Sequence, residues 1–263
     1  MNGMALLELT GVTKRFGGLI AVEDLDLSVE EHQIAALIGP NGAGKTTVFN
    51  MITGAYHVTE GTITFDGKVI NNEKHGALKP HKIVSLGIAR TFQNIRLFKK
   101  MTVLENVMTG FHSVSKNGIF NIIYDPKSTR REEEENRQKA LEILEFLHLT
   151  EIKDTRAGDI PYGTQRLLEI GRALATDPKL LLLDEPAAGM NSAEKKALVQ
   201  TIRRIRDAFD LAVLLVEHDM ELVMDVSEDI TVVNFGRRIA RGTAAEVQAN
   251  EDVIEAYLGR SDD

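Results

Sequence analysis

The chain has 263 residues, 43% of them hydrophobic, and carries 31 basic against 39 acidic side chains for a net charge of −8. That length allows one sizeable core or two small ones, and the acidic balance disfavours a duplex-binding surface, which needs a basic face. Cysteine is absent, which excludes disulfides, thiolate nucleophiles and cysteine-ligated metals, and the seven histidines show no metal-ligating spacing.

The N-terminal "MNGMALLELTG" lacks the cationic start and apolar run of a signal peptide. No segment reaches the roughly 18 uninterrupted apolar residues that span a bilayer. The expected chain is therefore intracellular and soluble, or held at a membrane only through a partner. Residues 5–29 alternate apolar and polar in "LLELTGVTKRF" and "AVEDLDLSV", a pattern of antiparallel strands with one wet face. "IAALIG" is a short apolar run ending in Gly39, as a buried parallel strand would be, and a helix is expected from Lys45 to about Gly54. "GTITFDGK" predicts a strand and a turn at Asp66-Gly67.

From about Gln93 to Tyr162 the pattern becomes helical. Thr102 with Glu105, and Thr129 with Glu132, make capping boxes; the second opens "RREEEENRQKALEILEFLHL". Its glutamate cluster reads as a solvated helix start favoured by the helix dipole. "FHSVSKNGIFNIIYDPKS" has no clear period and reads as an exposed connection. After Thr164, strands "KLLLLDE", "LAVLLVE" and "DITVVN" alternate with helices, which implies a parallel sheet covered on both faces. From Gly236 a small hairpin, "GRRIARG", and two short helices are expected, with Thr243 and Glu246 as a third capping box.

Two elements carry chemistry. "GPNGAGKT", Gly39 to Thr46, fits G-x-x-x-x-G-K-[ST] between a predicted strand and helix, the context that motif requires. Gly39, Pro40, Asn41, Gly42, Ala43 and Gly44 let backbone N–H groups converge on phosphate oxygens at a helix N-terminus. Lys45 can reach the β- and γ-phosphates, Thr46 can place its hydroxyl on Mg²⁺, and Thr47 can support the α-phosphate. The bland alternative is a glycine-rich turn. The second element, "LLLLDEP", delivers Asp184 and Glu185 to the carboxyl end of a buried strand, where open α/β sheets place ligands. There Asp184 suits Mg²⁺ and Glu185 can polarise an attacking water as a general base. No guanine-reading N-K-x-D element is present, so a GTPase is not indicated.

Further residues narrow the class: Gln93 in "RTFQNIRLF", Pro186 after the acidic pair, and His218 in "LLVEHDM". With these the chain resembles the ATP-binding cassette family over essentially its full length. The resemblance implies an α/β fold: a P-loop NTPase (RecA-like) core with a parallel sheet, an N-terminal antiparallel β subdomain and an inserted α-helical subdomain. It places the antiparallel subdomain and phosphate-loop half in 5–92, the helical subdomain in 93–162, the second half of the core in 163–235, and the terminal hairpin and helices in 236–263. All belong to a single ATPase domain over 1–263.

By the same resemblance Phe16 stacks on adenine, although core packing would also explain it. Gln93 contacts Mg²⁺ and water and links the site to membrane subunits, and His218 contacts the γ-phosphate. Ala188, Gly189, Met190 and Asn191 form the loop at which two cassettes touch, with asparagine where aspartate is usual. Pro161, Tyr162, Gly163, Thr164 and Gln165 fall at the family signature LSGGQ, and in that alignment, set by the following helix, only Gly163 matches. Proline has neither the serine hydroxyl nor an N–H to offer, so what survives is a helix N-terminus whose free N–H groups, from near Gly163, face an anion. In the family that anion is the ATP of a partner cassette in a head-to-tail dimer.

"RTFQNIRLF", "DEPAAGMN", the signature tyrosine-glycine and the tail "VIEAYLG" together resemble the ATPase subunit of branched-chain amino-acid importers. That subgroup implies ATP and Mg²⁺, two permease subunits, a second cassette or a second copy of this one, a solute-binding protein, and a place on the cytoplasmic face of the cell membrane. Urea import and lipopolysaccharide export are the related alternatives. A soluble cassette acting in DNA repair or translation fits less well, because those carry tandem cassettes or long coiled-coil insertions and act on polyanions. Nucleic acid is accordingly not an expected partner. A cassette that binds without turnover conflicts with intact Lys45, Asp184 and Glu185.

Overall fold

The computed structural model describes residues 5–112 and 126–258. Most of the connection expected at "FHSVSKNGIFNIIYDPKS" lies outside the described residues. The chain divides into two compact units, one of residues Met1–Ile83 with Lys179–Asp263, the other Val84–Pro178.

The first unit contains two sheets. Strands β1 (Leu7–Phe16), β2 (Leu19–Val29), β4 (Glu60–Phe65), β5 (Lys68–Asn72) and the two-residue β6 (Gly76–Ala77) form one, in the order β2-β1-β4-β5-β6. Its pairings are antiparallel, with Leu7 opposite Val29 and Phe65. β1 buries Leu7, Leu9 and Val12 and exposes Glu8 and Thr10 between them, as the alternating sequence predicts. The turn at Asp66-Gly67 joins β4 to β5.

The second sheet contains, side by side, β11 (Arg237–Gly242), β10 (Asp229–Asn234), β3 (Ile34–Ile38), β9 (Ala212–Val216) and β8 (Leu180–Asp184). β10, β3, β9 and β8 run parallel, and β3, β8 and β9 are buried at every position, which is why they read as continuous apolar runs. Truncating one of Leu181, Leu182 or Leu183, all at 0% exposure, costs about 2–5 kcal/mol. "GRRIARG" is not a hairpin in itself: it is the single strand β11, folded back antiparallel on β10. Around these strands lie α1 (Lys45–Ile52), the short α2 (Pro80–Ser85) that reaches the end of the unit's first segment, and then α6 (Ser192–Phe209), α7 (Met220–Val226), α8 (Ala244–Gln248) and α9 (Glu251–Leu258). The Thr243–Glu246 capping box is formed.

The second unit carries a three-residue strand β7 (Ile88–Arg90), helices α3 (Val103–His112), α4 (Pro126–Phe146) and α5 (Tyr162–Leu174), and a 3₁₀ turn at Thr150–Ile152. Thr102 and Glu105 cap α3 reciprocally, with N–H to oxygen distances of 2.7 and 3.1 Å. Helix α4 already begins at Pro126, so Thr129 does not stand at its start, and the Thr129 side chain lies outside the described residues. Proline at a first helical position is favoured because its missing N–H would be unpaired there anyway.

Candidate functional site

The phosphate loop links β3 to α1 in the first unit, and two close backbone approaches explain its glycines. A Cβ on Gly39, at φ 151°, would lie 2.0 Å from the Val233 carbonyl oxygen, and one on Gly44, at φ 103°, would lie 2.5 Å from the Ala21 carbonyl oxygen. No other residue type fits either place. Pro40 and Ala43 close a turn at 3.2 Å, and the Gly236 N–H donates to the Ala43 carbonyl at 3.1 Å, which pins the loop to the β10–β11 turn.

Lys45 is buried. Its ammonium donates to the carbonyls of Gly39 at 2.6 Å and Pro40 at 2.9 Å. Burial pushes its pKa below the usual lysine value, and the charges of Glu185 and Asp184 oppose that shift. A buried ammonium that donates to two neutral carbonyls at the N-terminus of α1 is an electrostatic setting that favours an anion. Thr46 is exposed beside it and Thr47 half-buried. The last helix also reaches the loop: burial raises the pKa of the Tyr257 hydroxyl, and the Gly39 backbone opposes that shift. A cleft of about 750 Å³ lies between Pro40–Ala43 and α9, where Asp252, Glu255 and Ala256 line it.

Asp184 ends β8 buried, and Glu185 follows with its side chain 23% exposed. The Glu185 N–H donates to the Val216 carbonyl at 2.8 Å, which extends the β8–β9 ladder by one residue. Its φ of 48° is left-handed, a conformation that costs a non-glycine residue about 1–2 kcal/mol and is tolerated where the surroundings enforce it. His218 lies beside it, with Nδ1 3.9 Å from Glu185 Oε2 and 3.5 Å from Glu217 Oε2.

The residue that arranges these loops is one that sequence reasoning missed. Glu217 is fully buried, and its carboxylate accepts from the N–H of Ala187 at 2.7 Å, His218 at 3.0 Å and Asp219 at 3.4 Å. It thereby ties the loop after β8 to the loop after β9. Asn191, read only as part of the 188–191 loop, is also the N-cap of α6, where its side chain accepts from Ala193 and Glu194 in a full capping box.

Phe16 is 43% exposed at the end of β1 and meets Tyr56 edge-on at 5.2 Å, with the Lys14 ammonium 4.9 Å from its ring. Phe16 is thus a surface ring rather than a core one, and Tyr56 is a second aromatic that the sequence pattern did not flag.

Gln93 and the signature residues lie in the second unit, whereas Ala188, Gly189 and Met190 lie in the first. α5 starts at Tyr162 with Pro161 as N-cap, and no side chain caps it. The Gln165 N–H bonds back to the Pro161 carbonyl at 2.9 Å, while the Gln165 amide donates to the Ile160 carbonyl at 2.9 Å. The N–H groups of Tyr162, Gly163 and Thr164 are those a helix start leaves without an intrahelical acceptor. Tyr162 is 47% exposed there. Gln93 sits between β7 and α3, its carbonyl accepting from Arg166 of α5 at 2.8 Å. Among the described residues no group of three or more His, Cys, Asp or Glu side chains gathers to hold a metal. A magnesium ion here would rely chiefly on phosphate oxygens and water, the usual Mg²⁺ arrangement in nucleotide sites.

A strand–glycine loop–helix with a buried lysine, next to a strand-end acidic pair and a neighbouring histidine, defines an ATPase of the phosphate-loop class. Comparison with known proteins agrees. Residues 22–188 match the ABC transporter family model, and residues 237–263 match the model described as branched-chain amino acid ATP-binding cassette transporter. The chain belongs to the ATP-binding cassette transporter family. It is 46% identical over 256 residues, with 97% of this chain and 98% of the other covered, to the high-affinity branched-chain amino acid transport ATP-binding protein BraF of Pseudomonas aeruginosa. It is 44% identical, at the same coverages, to the LivG protein of that transport type in Escherichia coli. The crystal structure of the ADP conformation of the cassette MJ1267 is 34% identical and superposes with a TM-score of 0.84, covering 98% of this chain and 100% of that one. Among the described residues no helix is long and apolar enough to cross a membrane.

Proposed function

We propose that the chain is the ATP-hydrolysing subunit of an importer for the branched-chain amino acids leucine, isoleucine and valine. It sits on the cytoplasmic face of the cell membrane against two permease subunits, paired head-to-tail with a second cassette, while a solute-binding protein delivers the amino acid. The observation that carries the enzymatic part is the buried Lys45 ammonium beside Asp184 and Glu185. The solute rests on the nearly full-length likeness to the BraF and LivG proteins.

In this reading the substrate is MgATP. The α1 N-terminus and Lys45 hold the β- and γ-phosphates, Phe16 stacks on adenine, and Thr46, Asp184 and Gln93 serve the magnesium that the triphosphate brings. Glu185 takes the proton as water attacks the γ-phosphorus; the new P–O bond forms as the β–γ bridge breaks, releasing ADP and phosphate. His218 steadies the γ-phosphate, held in place by Glu217. The Tyr162–Thr164 N–H groups cap the ATP of the partner cassette, and residues 188–191 meet that cassette. Closure then requires the γ-phosphate and reverses on its loss, a population shift driven by differential affinity.

The test is co-expression with the two permeases and second cassette of such an importer, reconstitution into vesicles, and uptake of radiolabelled solute driven by MgATP. Leucine, isoleucine and valine should accumulate, and Glu185→Gln should abolish accumulation. Uptake of urea in place of these amino acids would overturn the solute; assembly with no membrane subunit would overturn the transport role.

A further inference from the structure

Helix α5 presents Arg166, Glu169 and Arg172 at intervals of three, on one face. All three are spent on a single stretch of irregular backbone, Phe92–Arg96. Arg166 donates to the carbonyls of Phe92 at 2.6 Å and Gln93 at 2.8 Å. Glu169 Oε1 accepts from the N–H of Phe92 at 3.4 Å and of Arg96 at 3.2 Å. Arg172 donates to the Arg96 carbonyl. Arg166 and Glu169 pair with each other at 3.0 Å with their side chains 0% and 1% exposed, and Arg166 also reaches the Tyr162 hydroxyl at 3.3 Å. The Arg96 guanidinium lies 4.4 Å from the Phe92 ring and closes the segment on itself.

A buried ion pair is weak evidence for stability, since desolvation of both charges offsets their attraction. Here the pair supplies fixed partners for the part-buried backbone of Phe92–Arg96, which lies outside any helix or strand and has no ladder of its own to hold it. We propose that Arg166 and Glu169 are positioning residues for hydrolysis, a clasp that sets Gln93 in place against the start of α5. This rests on the role proposed above for Gln93.

The experiment measures steady-state ATP turnover of the assembled transporter carrying Arg166→Lys, or Arg166→Met with Glu169→Leu, each in the native and in a Gln93→Ala background. Lysine keeps the charge beside Glu169 but is a single-point donor that cannot reproduce the forked reach to two carbonyls; it carries the test if the apolar pair fails to fold. Both variants should lower kcat about tenfold with KM for ATP unchanged, since small displacements of an aligning group act on the reacting geometry. In the Gln93→Ala background the same substitutions should change kcat by less than about twofold, because groups acting through one residue are not additive. A tenfold loss that persists in that background would overturn the clasp by showing that it acts elsewhere. Native kcat in Arg166→Lys, alongside a clear loss in Gln93→Ala, would overturn the clasp alone; native kcat in Gln93→Ala would overturn the role of Gln93 and the inference with it.

Discussion

Glu217→Gln is the substitution whose effect the geometry defines best. The amide is nearly isosteric but keeps one acceptor oxygen where the carboxylate has two. In the native site Oε1 takes the Ala187 N–H at 2.7 Å, and Oε2 takes His218 at 3.0 Å with Asp219 at 3.4 Å. If the amide oxygen stays on Ala187, its NH₂ group faces the His218 N–H, and an attractive contact becomes donor against donor. A hydrogen bond to a buried charged acceptor contributes about 1.5–3 kcal/mol. The long Asp219 contact adds little. The expected loss is therefore about 2–3 kcal/mol, which lowers the melting temperature by about 5–10 °C for a chain of this size. Because Ala187 and His218 flank Glu185, ATP turnover should fall as well. Thermal unfolding by circular dichroism, with turnover on the same samples, checks both. A melting temperature within about 2 °C of the native chain and unchanged turnover would refute the view that this carboxylate holds the two loops, since two-state mutational shifts above that size are resolved readily.

Four further outcomes are expected. Glu185→Gln should cut hydrolysis by at least about a hundredfold while MgATP still binds and holds the cassettes together; wild-type turnover in that variant removes Glu185 as the base. Lys45→Ala should weaken nucleotide binding in calorimetric titration, and undiminished affinity would count against the phosphate-loop role. Pro161→Ser should leave transport intact or favour ATP-driven closure; complete inactivation would give Pro161 a structural duty. Lys195 beside Asp219 holds that carboxyl below the usual aspartate value of 3.8. The contribution of Asp219 is therefore present above about pH 4 and lost as acid takes pH down through the lower folded value. Asp219→Ala should flatten that part of the acid stability profile, and an unaltered profile would show the pair to be inconsequential.

What the sequence discloses is the periodic part. Runs such as "LLLLDE" and the glycine loop announce both the sheet and the chemistry at its carboxyl end, because burial on both faces and phosphate binding each demand a distinctive residue order. Short elements held by tertiary context, β6, α2 and β7, carry no period long enough to read. "GRRIARG" suggested a hairpin because it is bounded by glycines, yet its partner is the preceding strand. The proline at the start of α4 misled in another way: Pro126 fits a first turn as well as it fits a loop. Glu217, Arg166 and Glu169 were illegible for a shared reason. Each is an acid or base at an ordinary helix position or just past a strand end, and its work lies in backbone groups of a segment about 30 or 70 residues away. Sequence periodicity tells which face a side chain shares, but not which distant carbonyl waits opposite.

The cleft between the glycine wrap and α9 has a practical corollary. Ala256 lines it on one side, with Pro40 and Asn41 on the other, and the chain holds no native thiol. An environment-sensitive dye attached to Ala256→Cys would label this one spot without background and would register, as a change in emission, how nucleotide arrival and release shift the loop.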